Sequence, residues 1–214
     1  MQEIQGGNVM LADKTVKEFL EETASKSPVP GGGSIAALSA ATAAALTEMV
    51  ANLTIGKKGY EDLQEEVKEV LKRATSFRNS FIEDIDRDAK SFNKVMDAFK
   101  LPKENDEEKE KRKIAIQEGL KNAASVPLEI AKEAYKMMEI IEKVVEKGNK
   151  NAVTDGAVAA MMARTSVLSA LYNVKINLGS IKDKEFVEML AREVEELEEK
   201  INQLEKNILA KVTL

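Results

Sequence analysis

Cysteine, histidine and tryptophan are all absent from this 214-residue chain. Each absence removes a class of chemistry. Without cysteine and histidine there is no His/Cys zinc site, no Ser-His-Asp or Cys-His nucleophile pair, no haem histidine and no redox thiol. No disulfide can staple the fold, and a chain this long needs none, because it can bury a full core. Any proton transfer falls to Asp, Glu, Lys, Tyr or water. Proline and glycine are scarce, at 4 and 11, and several of them cluster. No run shows the strict apolar–polar alternation of a half-buried strand. No Pro/Gly/Ser-rich linker divides the chain, which reads as one domain over 1–214.

Charge, by contrast, is abundant. Asp and Glu number 37 against 32 Lys and Arg, a formal net charge of -5. That balance opposes general nucleic-acid binding, which needs a basic footprint for phosphate. The charged fraction of 32% exceeds the usual ~25%. With no cysteine and many Glu/Lys pairs, the composition points to a cytoplasmic protein of the kind found in hot environments. Met1–Met10 lacks the cationic start and apolar run of a signal peptide.

Helical spacing runs through nearly the whole sequence, so the expected fold class is all-α, a helical bundle. Thr15-Val16-Lys17-Glu18 is a capping box for a short first helix, which Pro28-Val29-Pro30-Gly31-Gly32-Gly33 stops. Ser34 is placed to cap a second helix reaching about Asn52–Ile55. From Ile35 to Val50 that helix is nearly all Ala, Leu, Ser, Thr and Met, so burial on every side is expected. Its length raises the question of a membrane span, but Ser39, Thr42, Thr47, Glu48 and Asn52 interrupt it. It reads instead as the bundle's central helix. A third helix, about Glu61 to Phe99, carries an apolar seam through Val67, Val70, Ala74, Phe77, Phe81, Ile85, Phe92, Val95 and Phe99. A fourth stretch ends at Gly148, with a kink or break expected at Ser125-Val126-Pro127. Thr154 or Asp155 is placed to cap a fifth, Ala/Met-rich helix to about Tyr172. The last helix, about Asp183 to Leu209, has a heptad-like seam able to pack at home or across a dimer.

Five places could carry chemistry. Pro30, Gly31, Gly32, Gly33 and Ser34 stand at a helix start, where glycines let a ligand approach the backbone and free N–H groups favour an anion. The plainer reading is a tight turn that sets helix packing. The string is neither a Walker A motif nor a GxGxxG. Asp88 occupies a seam position between Ile85 and Phe92, where an unpaired carboxylate is costly and is therefore either paired or functional. The plainer reading pairs it with Arg164. Asp84 lies one turn back on the same face, and Asp86 points elsewhere, toward solvent. Asn151, Thr154 and Asp155 are helix caps or ligand contacts. Arg164, inside an apolar helix, needs a carboxylate from the protein or from a ligand. Asn173 and Asn177, flanking Lys175, share a face if the helix persists, and otherwise form a frayed polar end. Glu48 needs a buried bond to a neighbouring hydroxyl or Lys. Met137, Met138, Met161 and Met162 read as fillers of core gaps.

Several of these strings together resemble the cyclodeaminase/cyclohydrolase family of folate enzymes. They are Pro28-Val29-Pro30-Gly31-Gly32-Gly33-Ser34 before an Ala-rich helix, Ile85-Asp86-Arg87-Asp88-Ala89 with Phe92, Val126-Pro127-Leu128, Gly148-Asn149 with Asn151-Ala152 and Asp155, and Asn173-Val174-Lys175-Ile176-Asn177-Leu178. They occur in order over about Leu11 to Phe186. The resemblance implies formimidoyltetrahydrofolate cyclodeaminase, found as a domain of bifunctional formiminotransferase-cyclodeaminases, or the standalone methenyltetrahydrofolate cyclohydrolase. The chain is too short to carry the transferase domain as well. The implied fold is an all-helical homodimer with the folate site near the subunit interface. The implied substrate is a tetrahydrofolate derivative, with or without a polyglutamate tail, and the reaction needs no metal and no cofactor beyond the folate. No membrane or nucleic-acid partner is implied. Asp88 is the expected base and Asp155 the second catalytic carboxylate. The Gly31–Ser34 helix start, Lys175 or Arg164 would bind the tail carboxylates, and Asn151, Asn173 and Asn177 the pterin edge. The rival from another class is a helical folate-binding or interaction protein without activity, which the long last seam would suit.

Overall fold

Three of the helix starts carry side-chain caps. The computed structural model describes residues 10–213. Among them are six α-helices and no strand: α1 (Val16–Thr23), α2 (Gly32–Asn52), α3 (Gln64–Lys100), α4 (Asp106–Lys147), α5 (Val153–Leu178) and α6 (Lys184–Leu209). The capping box of α1 forms in both halves: the Glu18 amide donates to Thr15 Oγ1, and the Thr15 amide to the Glu18 carboxylate. Asn105 caps α4 and Asp183 caps α6 through their side chains. Two caps differ from expectation. Gly31 holds the N-cap position of α2, so Ser34 lies inside the first turn and is free to bond across to α3. A one-turn 3₁₀ segment, Lys150–Ala152, runs directly into α5, and the Asn149 side chain caps it. Thr154 and Asp155 therefore fall within the helix rather than at its cap.

The two Ala-rich helices, α2 and α5, pack on each other at the centre, α3 and α4 flank them, and α6 covers α5 and α4. Small side chains permit this close packing: Ala36, Ala37, Ala40, Ala43 and Ala44 are fully buried. Burial of α2 is not complete, however. Thr42, Ala45 and Met49 form an exposed strip that no helix among the described residues covers. By length and hydropathy α2 could cross a membrane, yet most of it faces α3 and α5. The α6 seam packs at home, with Leu190, Val194, Ile201 and Ile208 buried. Met137 and Met138 are core residues as expected, whereas Met161 is exposed. Glu48 accepts from Thr75 Oγ1 at 3.0 Å and from Arg78 Nε at 2.5 Å, joining α2 to α3 with an Arg in the place expected for Lys.

Helix α4 runs unbroken through Pro127. Proline has no N–H, so the carbonyl of Ala123, four residues back, loses its helical donor. Asn177 Nδ2 of α5 donates to that carbonyl at 2.8 Å. The expected break is absent because the orphaned acceptor finds a partner on the neighbouring helix.

Asp86 is also placed differently from the sequence reading. It is buried, and its carboxylate accepts the amides of Leu11 at 2.8 Å and Ala12 at 3.1 Å. The face of α3 that would meet solvent is covered by the N-terminal segment, which this aspartate ties down. Replacing Asp86 by Ala should cost about 1–3 kcal/mol, the range for leaving buried polar groups unpaired. Amide hydrogen exchange at Leu11 and Ala12 should accelerate in that variant, and unchanged exchange would show that something else anchors the segment.

Candidate active site

Helix α3 crosses the start of α2 so closely that the Asp88 carboxylate lies against the backbone of Gly33, and a Cβ at position 33 would overlap it. Only glycine fits there. Ser34 Oγ donates to the Ile85 carbonyl at 2.9 Å, with Asp88 Oδ2 as a second acceptor at 3.3 Å, and the Ser34 amide is near enough to favour the ionised carboxylate. No Lys or Arg lies within ion-pair distance of Asp88 among the described residues. Burial pushes the Asp88 carboxyl above the ordinary aspartate value, and the two Ser34 groups oppose that rise without cancelling it. Asp84, one turn back, is raised mainly by burial as well. It differs in having a counter-ion: Arg87 bonds it at 2.9 Å and also reaches Glu129 on α4.

Asp88 stands in a cleft of about 380 Å³ where α3, α4 and α5 meet the start of α2. Gly32 and Gly33 form one side. Phe92, Val95, Met96 and Phe99 of α3, with Leu120 of α4, make an apolar wall, and Asn173 and Asn177 make a polar edge. Helix α5 does persist through both asparagines, so they share a face. Both N–H groups of Asn177 and one of Asn173 are used within the chain. Asn173 Nδ2 donates to the Ser169 carbonyl at 2.8 Å, and Asn177 Nδ2 to the carbonyls of Asn173 and Ala123. Their Oδ1 atoms remain as acceptors for a ligand's N–H groups. A larger hollow of about 730 Å³ lies beside Arg87, Lys90 and Lys94, but Asp88 does not line it and it shares only Ser91 with the cleft. The half-buried acid stands in the smaller space.

Of the residues expected at the site, Gly31, Gly32, Gly33, Asp88, Asn173 and Asn177 line the cleft, Ser34 touches Asp88, and Pro30 is buried behind a cis Val29–Pro30 peptide. Four others lie elsewhere in the subunit. Arg164, the alternative partner for Asp88, bonds Glu205 at 3.1 Å and Asn202 at 2.9 Å on α6. Lys175 turns to Glu198 at 2.7 Å and over the Tyr172 ring. Asn151 and Asp155 stand at the opposite end of α5 from the asparagine pair, roughly 27 Å away at the helical rise from Asp155 to Asn173. Within one subunit the cleft therefore has one acid, Asp88. The apolar wall was read from sequence as core. Its spacing from Asp88 through Phe92, Val95 and Phe99 was the signal that the same stripe continues as a cleft.

A family model described as formiminotransferase-cyclodeaminase matches residues 15–196. The chain belongs to this family. It is 41% identical over 188 residues to the methenyltetrahydrofolate cyclohydrolase of Methylorubrum extorquens, an alignment covering 88% of this chain and 90% of that one. It is 33% identical over 192 residues to the formimidoyltransferase-cyclodeaminase of Rattus norvegicus, covering 90% of this chain but only 36% of the rat protein's length. The crystal structure of formiminotetrahydrofolate cyclodeaminase from Thermotoga maritima superposes with a TM-score of 0.83 at 33% identity, covering 93% of this chain and 96% of that one. The all-helical bundle is thus shared with a solved member of the family.

The two glycines facing the cleft should respond differently to alanine. In Gly33→Ala the new methyl meets the carboxylate of Asp88, which must move, and overpacking of this kind costs about 1–3 kcal/mol. In Gly32→Ala it meets the Asn173 amide nitrogen at 3.1 Å, a flexible end that can shift. Thermal melts and turnover of both variants test this, with Gly33→Ala the more damaging in each. Equal effects would show that the contact with Asp88 is not what demands glycine.

Proposed function

We propose that this chain is a tetrahydrofolate-dependent one-carbon enzyme acting at the N5–N10 bridge, converting 5-formimidoyltetrahydrofolate to 5,10-methenyltetrahydrofolate with release of ammonia. The observation that carries the reading is Asp88, a half-buried carboxylate without a counter-ion among the described residues, at the head of a cleft with one apolar and one polar wall. The names of the relatives point to the same substrate class.

The chemistry suits a single acid. N10 attacks the carbon of the formimidoyl group, which is protonated on its terminal nitrogen, and forms the N10–C bond. The Asp88 carboxylate takes the N10 proton. The same carboxyl then gives that proton to the amine as the C–NH₂ bond breaks, so ammonia leaves and the cationic methenyl bridge remains. A carboxyl whose pKa burial has raised can serve in both directions. The missing side chain at Gly33 lets Asp88 and the bound ring approach the start of α2, and the Oδ1 atoms of Asn173 and Asn177 accept from pterin N–H groups. Holding N5 and N10 in a ring-closing pose supplies a further part of the rate. The reading requires no cofactor beyond the folate, and we take the enzyme to be cytoplasmic.

We further propose that it works as a homodimer. The exposed strip of α2 adjoins one on α5, where Val158, Met161, Tyr172 and Ile176 are exposed at helical spacing. Unsatisfied apolar stripes on two packed helices suit a second copy. An antiparallel crossing of two α5 helices would carry Asn151 and Asp155 of one copy toward the Tyr172–Ile176 end of the other, where the cleft opens. Met161→Asp should yield a monomer in sedimentation velocity, and an unchanged assembly would place the interface elsewhere.

A second reading, cyclohydrolase, is favoured by the 41% identity to a protein of that activity and similar length. There, water adds to the methenyl carbon, Asp88 takes the water's proton, and the carboxyl returns it to the departing ring nitrogen as one C–N bond breaks and the bridge opens. Ammonia release from formimidoyltetrahydrofolate against hydrolysis of methenyltetrahydrofolate, both followed through the methenyl chromophore, separates the two. Folate binding with neither turnover would support the non-catalytic rival.

Asp88→Asn should lower kcat roughly 10²–10⁴-fold, the usual worth of a general acid–base group, with unchanged circular dichroism. A base acts only when ionised, so wild-type activity should rise with pH through an acid limb lying above the ordinary aspartate value of 3.8. The variant's residual activity should lack that limb. Near-normal turnover of Asp88→Asn removes it from the mechanism.

A further inference from the structure

Helices α3 and α4 run antiparallel beside the cleft, which α3 lines from Asp88 to Phe99 and α4 at Ala123 and Leu120. On α3 the wall passes from Asp88 through Phe92 and Met96 to Phe99. On α4 the lining residues Ala123 and Leu120 are followed, on the same helical face, by Ile116 and then Arg112. Each run covers about 16 Å at ~1.5 Å per residue. At the far end from Asp88 the two runs meet, because the Arg112 guanidinium stands over the Phe99 ring, 5.8 Å from its centroid.

Arg112 is held in that place without being neutralised. Its Nε and one terminal nitrogen donate to the Phe99 carbonyl at 3.3 and 3.0 Å. These bonds leave three of the five guanidinium N–H groups over. The neighbouring Lys109, Lys111 and Lys113 all form ion pairs, whereas Arg112 has no carboxylate partner among the described residues. The Phe99 ring is 46% exposed, an apolar platform next to a positioned cation.

We infer that Phe99 and Arg112 form the seat for the distal half of the substrate, with the ring packing on the benzoyl group and the guanidinium binding a carboxylate of the amide-linked glutamate. The inference rests on the folate reading above. The rigid benzoyl ring and one amide hold those carboxylates about three extended residues, ~10 Å, from N10. The cleft accommodates this span once the reach of Asp88 and of the guanidinium is counted. The other cations considered for this role are engaged elsewhere: Arg164 with Glu205 and Lys175 with Glu198. Lys90 and Lys94 line the neighbouring hollow.

The test compares kcat/KM for the folate substrate with that for the corresponding pteroate, which lacks the glutamate, in wild type, Arg112→Ala and Arg112→Lys. Wild type should prefer the glutamate-bearing substrate by about ten-fold or more, the low end for a charged hydrogen bond at a partly exposed site. Arg112→Ala should lose most of that preference through KM, and Arg112→Lys should keep a part of it. If Arg112 only caps the end of α3, the alanine variant will melt earlier but retain the wild-type preference, and the inference is overturned. It is overturned equally if wild type shows no preference. If wild type turns over neither substrate, the folate reading itself is what has failed.

Discussion

The fold depends on one contact, that of the Asp88 carboxylate with the backbone at the start of α2. It fixes how closely α2 and α3 approach, because any side chain at Gly33 would occupy the carboxylate's place. It also explains how a half-buried acid without a counter-ion among the described residues is tolerated. The first turn of a helix has unpaired N–H groups and a partial positive charge, and here the Ser34 amide and hydroxyl turn that field onto Asp88. The compensation is incomplete, since burial still raises the pKa. A carboxyl held in this balance remains able to gain and lose a proton. The glycine-rich helix start thus serves the protein's own acid, which leaves it poorly placed to take a ligand's carboxylate as well and sends that charge to another part of the cleft.

A second constraint links a helix defect to the cleft. Pro127 removes a donor from α4 and leaves the Ala123 carbonyl free, and Asn177 fills that vacancy from α5. The bond does two things at once. It keeps a 42-residue helix continuous, and it fixes the Asn177 side chain so that its amide oxygen, rather than its NH₂ group, is left for the cleft. Asn173 bonds the Ser169 carbonyl through one of its two N–H groups. The polar edge therefore presents two acceptors and one remaining amide N–H, which suits a ligand with N–H donors.

How much of this was legible in sequence follows from how local each cause is. Helix periodicity is local, and the six helices fell close to where spacing put them. Asp88 was legible because a carboxylate on an otherwise apolar seam is anomalous wherever the partner helix lies. The asparagine pair needed only the continuity of α5. Asp86 was not legible, because what buries it comes from residues 75 positions away. The same holds for Arg164 and Lys175, whose long side chains turn to α6, a neighbour that spacing on α5 alone cannot reveal. Ser34 was read as a cap because capping is the commonest local use of serine before a helix. Its real partners, Ile85 and Asp88, belong to another helix.

The choice between ammonia loss and hydrolysis does not reside in the carboxylate. Both proposed reactions pass through one tetrahedral carbon between N5 and N10, and a single acid at that carbon serves either. What separates them is access of water. In an isolated subunit the cleft opens past Ile176, which is 76% exposed, so water can reach the methenyl carbon from that side. A second copy seated on the α2–α5 strip would cover this opening and keep out the water that hydrolysis needs as its nucleophile. On this argument the residues that discriminate the two activities lie on the exposed face of α5 rather than around the acid, and relatives can share the Asp88–Gly33 contact while differing in the reaction they complete.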